Sequence, residues 1–518
     1  MLVGFPGMEA SLLDRWTADG TMPTFAEAIR KGRSLVPKNR QAHIPDIVWP
    51  EIYTGRLGVP RGLYRFPEQL FAGDTAPRRV RLDDFDLTSV WDHASAAGRT
   101  VAALDIPYSG SSPGINGIHL RSWGTHDKPY GPATEPQSEL LGELVARFGK
   151  YPREHIHEEH TRCDDHDDTT ASYRSLRVDM LAGADSKARL FRHLLDEREW
   201  DLFLCSFEEA HCAGHEFWHH FDPGSPWHDP AAPDDVKSTL RDVYARLDTR
   251  VGDMLEGAGE DAVVAIVLSH GMQAIGGGWQ LLGEVLVRLG YGSGSRSVGK
   301  LRGALPAPVK SAIRTTLRGR ARSGLQRVAG SLPAPLTSSE TRAVDLLNSP
   351  CGAIRFNVKG RDPFGAIEPG KELDEACDEL EHELSQLVDT RTGQPALTRI
   401  TRATEFYGDQ VHPNTPDLLL LFNPAGAPIE SVRSDRVGTI SRPVRSPALP
   451  RSGDHSENSR LIFVGPGVEP APAHSAGDIL DVTPTLLDLL DVPLPDLLDG
   501  TPLDLLAGRA SPLAEPAS

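Results

Sequence analysis

Short apolar runs recur along the chain, separated by longer stretches with helical periodicity. The runs at 2–5, 100–104, 202–207, 262–269, 353–358, 417–422 and 461–464 have the length and composition of buried strands. Between them, 12–16 with 24–31, 139–148, 172–197, 236–255 and 371–387 space their apolar residues as helices do. The run at 262–269 has no polar side chain until Ser269, as a strand covered on both faces requires. This alternation predicts an α/β fold with a largely parallel central sheet sandwiched by helices. In such a sheet the ligand site lies beyond the carboxyl ends of the strands, so chemistry is expected just after each strand.

Two stretches interrupt the alternation and are expected to be insertions capping the site. The first, 124–168, holds His126, His155, His157, His160 and His166 among many acids, without tight ligand spacing. The second, 285–339, contains no Asp or Glu but ten Lys/Arg, a basic insertion able to face an anionic ligand or simply solvent. From 493 to 518 the Pro/Leu/Ala-rich sequence reads as a loosely packed tail. The remainder, over 1–518, reads as one domain.

Charge narrows the partners. With 54 Lys+Arg against 72 Asp+Glu the formal net charge is −18, which argues against nucleic acid or an anionic membrane surface. A small anionic substrate remains compatible, because a bound metal reverses the local field. Five cysteines without CxxC spacing predict reduced thiols and a cytoplasmic protein. The first residues lack a signal-peptide pattern, and the longest apolar runs are too short to span a bilayer. Oligomeric state is not legible in the sequence.

The strongest chemical signal is Cys205-Ser-Phe-Glu-Glu-Ala-His-Cys-Ala-Gly-His-Glu-Phe-Trp218. A strand ends near Phe207, and a helix then puts His211 and His215 at i and i+4 on one face, a spacing that can chelate one metal. The intervening residues are not those of HExxH, which disfavours a zincin-type protease. A second strand delivers Ser269 and His270 before the turn at Gly271, and His455 lies in Ser452-Gly-Asp-His455 just before another strand. Three histidine sites at comparable strand-edge positions point to a metal centre.

At these residues the chain resembles the alkaline phosphatase superfamily, in particular its type I phosphodiesterase/nucleotide pyrophosphatase branch. Residues 2–7 with Leu12-Leu-Asp-Arg-Trp16 and Met22-Pro23 resemble that family's opening strand, helix and turn. Val48-Trp-Pro-Glu-Ile-Tyr-Thr-Gly55 resembles the segment around its nucleophile, and Ser269-His-Gly-Met272 resembles its Asp-His-Gly-Met. Gly453-Asp-His455 with Gly465-Pro-Gly467 resembles its last metal-ligand motif, and residues 478–487 resemble its closing helix.

The resemblance implies an alkaline phosphatase-like fold, two metals, usually zinc, and a Thr or Ser nucleophile. Several of the implied positions differ here. The opening aspartate is Pro6, the nucleophile position falls on Pro45 beside Asp46, the aspartate of Asp-His-Gly-Met is Ser269, and Arg61 replaces a histidine. One metal site is left with His211, His215 and His455; the other keeps His270, with Asp46, Glu9 or Ser269 in reach. Three neutral imidazoles leave the metal its full charge, which favours an anionic ligand and lowers the pKa of bound water. The expectation is therefore a phosphoester hydrolase with one tightly bound divalent metal, zinc, and metal-bound hydroxide in place of a covalent nucleophile. Glu208 and Glu209 are candidates for general base or ligand-orienting partner, or else surface caps of the helix start. Asp46 is a candidate base, ligand or nucleophile, and Arg61, His126 and Ser269 are candidates for substrate contact. The alternatives are a non-catalytic metal- or anion-binding pseudoenzyme of the same fold, and a phosphoryl or other transferase.

Overall fold

The computed structural model describes residues 1–39, 47–66, 68–121, 123–124, 137–152, 169–292, 336, 338–348, 351–408, 411–423, 427–442 and 451–506. Asp46 and His126 lie outside the described residues. The central sheet is formed by β1 (Leu2–Gly4), β2 (Arg33–Lys38), β3 (Val101–Leu104), β4 (Gly117–Leu120), β5 (Leu202–Ser206), β6 (Val264–Leu268), β13 (Arg460–Val464) and β14 (Ala471–Asp478). Its eight strands run in the order β14-β2-β13-β6-β1-β5-β3-β4. Only β13 is antiparallel to its neighbours, β2 and β6; the other pairings are parallel.

Alternate residues of these strands enter two different cores, as the two-residue period of a strand dictates. Val3, Phe203, Cys205, Ile266 and Leu268 face α1 (Ala10–Ala18), α2 (Pro23–Lys31), α6 (Thr170–Glu197), α7 (Glu209–Phe221) and α8 (Thr239–Ala258). Leu2, Leu204, Ala265 and Val267 face α3 (Val48–Thr54), α4 (Val90–Ala96) and α11 (Val482–Leu489). The stripe Leu240, Val243 with Tyr244, Leu247, Val251 and Met254 shows why α8 packs as it does, since it recurs every three or four residues along one face. The stretch 139–148 forms α5 (Gln137–Phe148), and 236–255 breaks at Ser238 into a short helix and α8.

Two expected strands take another place. Residues 353–358 and 417–422 contribute to a separate antiparallel sheet, β8-β9-β11-β10, built from β8 (Ala343–Asn348), β9 (Cys351–Phe356), β10 (Leu397–Arg402) and β11 (Leu418–Phe422). Only two residues separate β8 from β9, and so short a connection can make only an antiparallel pair. This sheet has its own core with α9 (Leu282–Leu289) and α10 (Lys371–Ser385). Val285, Leu286 and Leu289, at the start of the acid-free stretch, are buried there. Among the described residues no helix is long and apolar enough to cross a membrane.

Candidate metal centre

Strands β5, β1 and β6 lie side by side, with Gly4 level with Ser206 on one flank and Val267 on the other. Their carboxyl ends therefore release three segments into one place: 208–211, 6–9 and 269–270. A fourth segment arrives on a two-stranded ribbon of β7 (Gly271–Ala274) and β12 (Gly453–Ser456), in which His455 pairs with Met272. Two glycines let these segments close up. Gly7 has φ +64°, and a Cβ there would sit 2.8 Å from the Cα of His211. A Cβ on Gly453 would fall 2.1 Å from the carbonyl oxygen of Gly214, so α7 lies directly on the ribbon.

Here His211, His215 and His455 converge, each presenting one ring nitrogen within 4.8 Å of the others. The Nε2 of His211 is 2.9 Å from that of His455 and 3.1 Å from that of His215. All three rings are buried. The Nδ1 of His215 lies 2.9 Å from the carbonyl of Gly453, which can only accept, so the proton is on Nδ1 and Nε2 is a bare lone pair. Burial holds the His215 pKa well below the ordinary range, helped by Arg451 and the two neighbouring imidazoles, so the ring is in its neutral, ligating form. Each facing nitrogen of a neutral ring is either an N–H or a lone pair, so among three of them at least two are alike and oppose each other. A cation resolves that conflict: ligand nitrogens about 2.0–2.1 Å from a tetrahedral zinc are themselves roughly 3.3 Å apart. The residues fit a divalent metal.

The surroundings orient these rings. Asp454 accepts from the backbone N–H of His455 at 2.9 Å and stands 3.9 Å from its Nδ1. Gln273 donates to the His455 carbonyl at 3.0 Å, and Ser452 donates its N–H to the His215 carbonyl at 2.9 Å. Such outer contacts fix the backbone that carries the ligands and so the place of their rings.

His270 stands beside the cluster, its ring centroid 4.7 Å from that of His455, but is not one of the three converging ligands. Its Nδ1 is 3.1 Å from Ser269 Oγ, and burial, with a smaller contribution from His211, pushes its pKa down to about 3. Glu9 is not one of the converging ligands. Its Oε1 accepts from Ser11 N–H, Ser11 Oγ and Asn458 Nδ2, while Oε2 accepts from Met272 N–H and Ser456 Oγ. Those bonds occupy the lone pairs of the carboxylate and clamp α1 to the β7–β12 ribbon.

Glu208 and Glu209 are buried, not surface caps; Glu208 is the N-cap residue of α7 and makes no side-chain cap hydrogen bond. Glu209 Oε1 accepts from Tyr151 OH at 2.7 Å, and burial raises its pKa despite Lys187 and that hydrogen bond. Arg61 is engaged elsewhere: its guanidinium pairs with Asp499 at 2.7 Å and donates to the Leu57 carbonyl. Sequence reasoning passed over Asp454, although it adjoins His455, and also Asp105, Tyr151 and Lys187. The last had a signal, since position 187 falls on the buried stripe of α6 with Met180, Ala184 and Phe191.

Comparison with known proteins agrees with this architecture. The wild-type alkaline phosphatase PafA is 14% identical, with 98% of this chain and 99% of that chain covered and a TM-score of 0.50. Phosphonoacetate hydrolase from Sinorhizobium meliloti 1021 is 12% identical over 95% and 94% of the two chains, with a TM-score of 0.49. Human ectonucleotide pyrophosphatase/phosphodiesterase 5 is 12% identical over 95% of each, with a TM-score of 0.43. No curated protein matches by sequence. With PafA the likeness is one of fold: a mostly parallel central sheet flanked by helices. The sequence pattern of type I phosphodiesterase / nucleotide pyrophosphatase matches residues 1–439, so that His455 is brought to the site from beyond the matched segment. The chain belongs to the type I phosphodiesterase/nucleotide pyrophosphatase family, a family of phosphoester hydrolases.

Proposed function

We propose that this protein hydrolyses a phosphoester of a small anionic metabolite, using one tightly held divalent cation, zinc, at His211, His215 and His455. The observation that carries the reading is the convergence of three imidazole Nε2 atoms at 2.9 and 3.1 Å, with His215 locked as a lone-pair donor by Gly453. Imidazoles suit zinc. The cation would polarise a phosphoryl oxygen and make water acidic enough to replace the Ser/Thr nucleophile that position 45 lacks. The chain's own residues do the rest. Gly453 holds the His215 ring in its ligating tautomer, Asp454 stands beside the His455 ring, and Glu208 and Glu209 supply negative charge behind the first turn of α7. Ser269 orients His270 at the border of the site, and 124–168 with 285–339 select the substrate. Buried thiols at Cys205, Cys212, Cys351 and Cys377, none in a disulfide, support a reducing, cytoplasmic setting.

The test is metal content and turnover of the purified protein beside His215→Ala. About one zinc per chain, with loss of zinc and of phosphoester turnover in the variant, is expected. Undiminished turnover with metal retained in the variant would sink the reading. Pro6 at the opening-aspartate position favours a second reading, a non-catalytic metal- or anion-binding protein. A zinc-replete sample inert toward phosphomonoesters, phosphodiesters and phosphonates would decide for it.

A further inference from the structure

A lysine lies in the protein interior behind the imidazole cluster. Lys187 is fully buried on the stripe of α6 and donates to the carbonyl of Ser206, the last residue of β5, at 3.2 Å. Its electrostatic neighbours are the carboxylates of Glu209, Glu208 and Asp105 and the thiol of Cys212; burial opposes its charge, yet these groups carry its pKa above that of an ordinary lysine. Asp105, just after β3, accepts from the N–H groups of Trp123 and Gly124 at 3.0 and 2.8 Å. Ser206 Oγ donates to the Asp105 carbonyl at 2.5 Å, tying the ends of β3 and β5 together. Tyr151 joins the lysine to the helix: its ring centroid is 5.6 Å from Lys187 Nζ, and its hydroxyl donates to Glu209 Oε1 at 2.7 Å. Gly183 leaves room for this ring, since a Cβ there would sit 2.6 Å from the Tyr151 hydroxyl.

We propose that Lys187 is a positioning residue of the imidazole cluster: its buried ammonium, through Tyr151 and Glu209, seats the first turn of α7 on the end of β5. This rests on the reading of His211, His215 and His455 as a cation site. Glu209 and His211 share that first turn, so a displacement of one carries the other. Removing the ammonium leaves three buried carboxylates uncompensated, a cost met by proton uptake or by a shift of the turn toward water, and Glu209 carries the turn with it. A binding constellation tolerates about 0.5 Å of such movement, and loss of an outer-shell partner typically costs 10–100-fold in metal affinity.

The experiment is a zinc titration against a competing chelator on the full chain, Lys187→Met, Lys187→Met/Glu209→Gln and Tyr151→Phe. Lys187→Met is expected to weaken zinc binding about 10–100-fold. The double variant, which also removes one of the three stranded carboxylates, is expected to recover part of that loss, which a general loss of packing would not do. Tyr151→Phe, the milder probe should Lys187→Met not fold, is expected to weaken binding severalfold. Wild-type zinc affinity in either single variant, or a double variant as weak as Lys187→Met, overturns the inference. Amide exchange over 209–215 without metal separates this from failure of the cation reading. A wild-type chain that takes no zinc ends that reading, whereas equal protection with and without Lys187, or with and without the Tyr151 hydroxyl, ends this one.

Discussion

The Nδ1 of His215 is held 2.9 Å from the carbonyl oxygen of Gly453, and this one hydrogen bond decides what the opposite side of the ring can do. With the proton fixed on Nδ1, Nε2 points a lone pair at His211, 3.1 Å away. The same β12 backbone presents His455 two residues later, so one short strand both orients one ligand and supplies another. The ribbon, rather than α7 alone, makes the centre.

Gly453→Ala tests that dependence. The added methyl would meet the Gly214 carbonyl at 2.1 Å, a backbone contact that cannot rotate away, so β12 and α7 must separate. The expected cost is about 1–3 kcal/mol of stability, as for overpacking, together with weakened cation binding. Urea unfolding and a zinc titration on the same sample check both.

Glu9→Gln is expected to destabilise the fold by about 3 kcal/mol or more, since it replaces charge-assisted bonds and turns an NH₂ toward donors. The donors left unmatched would be among Ser11 N–H and Oγ, Asn458 Nδ2, Met272 N–H and Ser456 Oγ. Denaturant midpoints measure the loss. Because Glu9 is a clamp, the zinc stoichiometry of any folded variant should stay that of wild type.

Arg61→Ala separates a substrate contact from a structural pair. The guanidinium is bound to Asp499 at a partly exposed position, 21% and 31% accessible for the two side chains. The substitution should cost no more than about 1 kcal/mol and leave the KM for a phosphoester substrate unchanged. A KM raised tenfold would instead return Arg61 to the substrate.

Five central strands (β1, β3, β5, β6 and β13), the helices between them and the histidines 211, 215, 270 and 455 were legible because each signal is local. An unbroken apolar run, an i, i+4 spacing and a residue just past a strand can all be read without knowing the partners. What could not be read depends on pairing. The runs at 353–358 and 417–422 read as strands, but nothing within them says that they join β8 and β10 in an antiparallel sheet. Strands β2, β4, β12 and β14 are short or polar and owe their conformation to the neighbours they bond. Residues 471–478, largely exposed on the sheet edge, show no apolar alternation at all. The clamp role of Glu9 is likewise invisible, because its five donors come from positions 11, 272, 456 and 458.

His119 gives a prediction about acid stability away from the metal centre. It lies on β4, almost fully buried, with its ring 5.3 Å from that of Trp91. Neither ring nitrogen has a hydrogen-bond partner. Burial, and secondarily Arg121, pushes its pKa down to about 3 from the ordinary 6.5. The sign follows from which state binds the proton. Below pH 6.5 the unfolded chain protonates this histidine while the folded chain does not, so the folded state loses stability as pH falls. The slope approaches about 1.4 kcal/mol per pH unit and levels off near pH 3, where the folded ring also takes up its proton. His119→Leu keeps an apolar side chain against Trp91 and removes the titration. Between pH 6 and pH 4 its unfolding free energy, from urea denaturation at each pH, should fall less steeply than that of wild type by about that slope. Parallel curves for the two proteins would mean that His119 is protonated in the folded state, or is reached by water that the packing around Trp91 excludes.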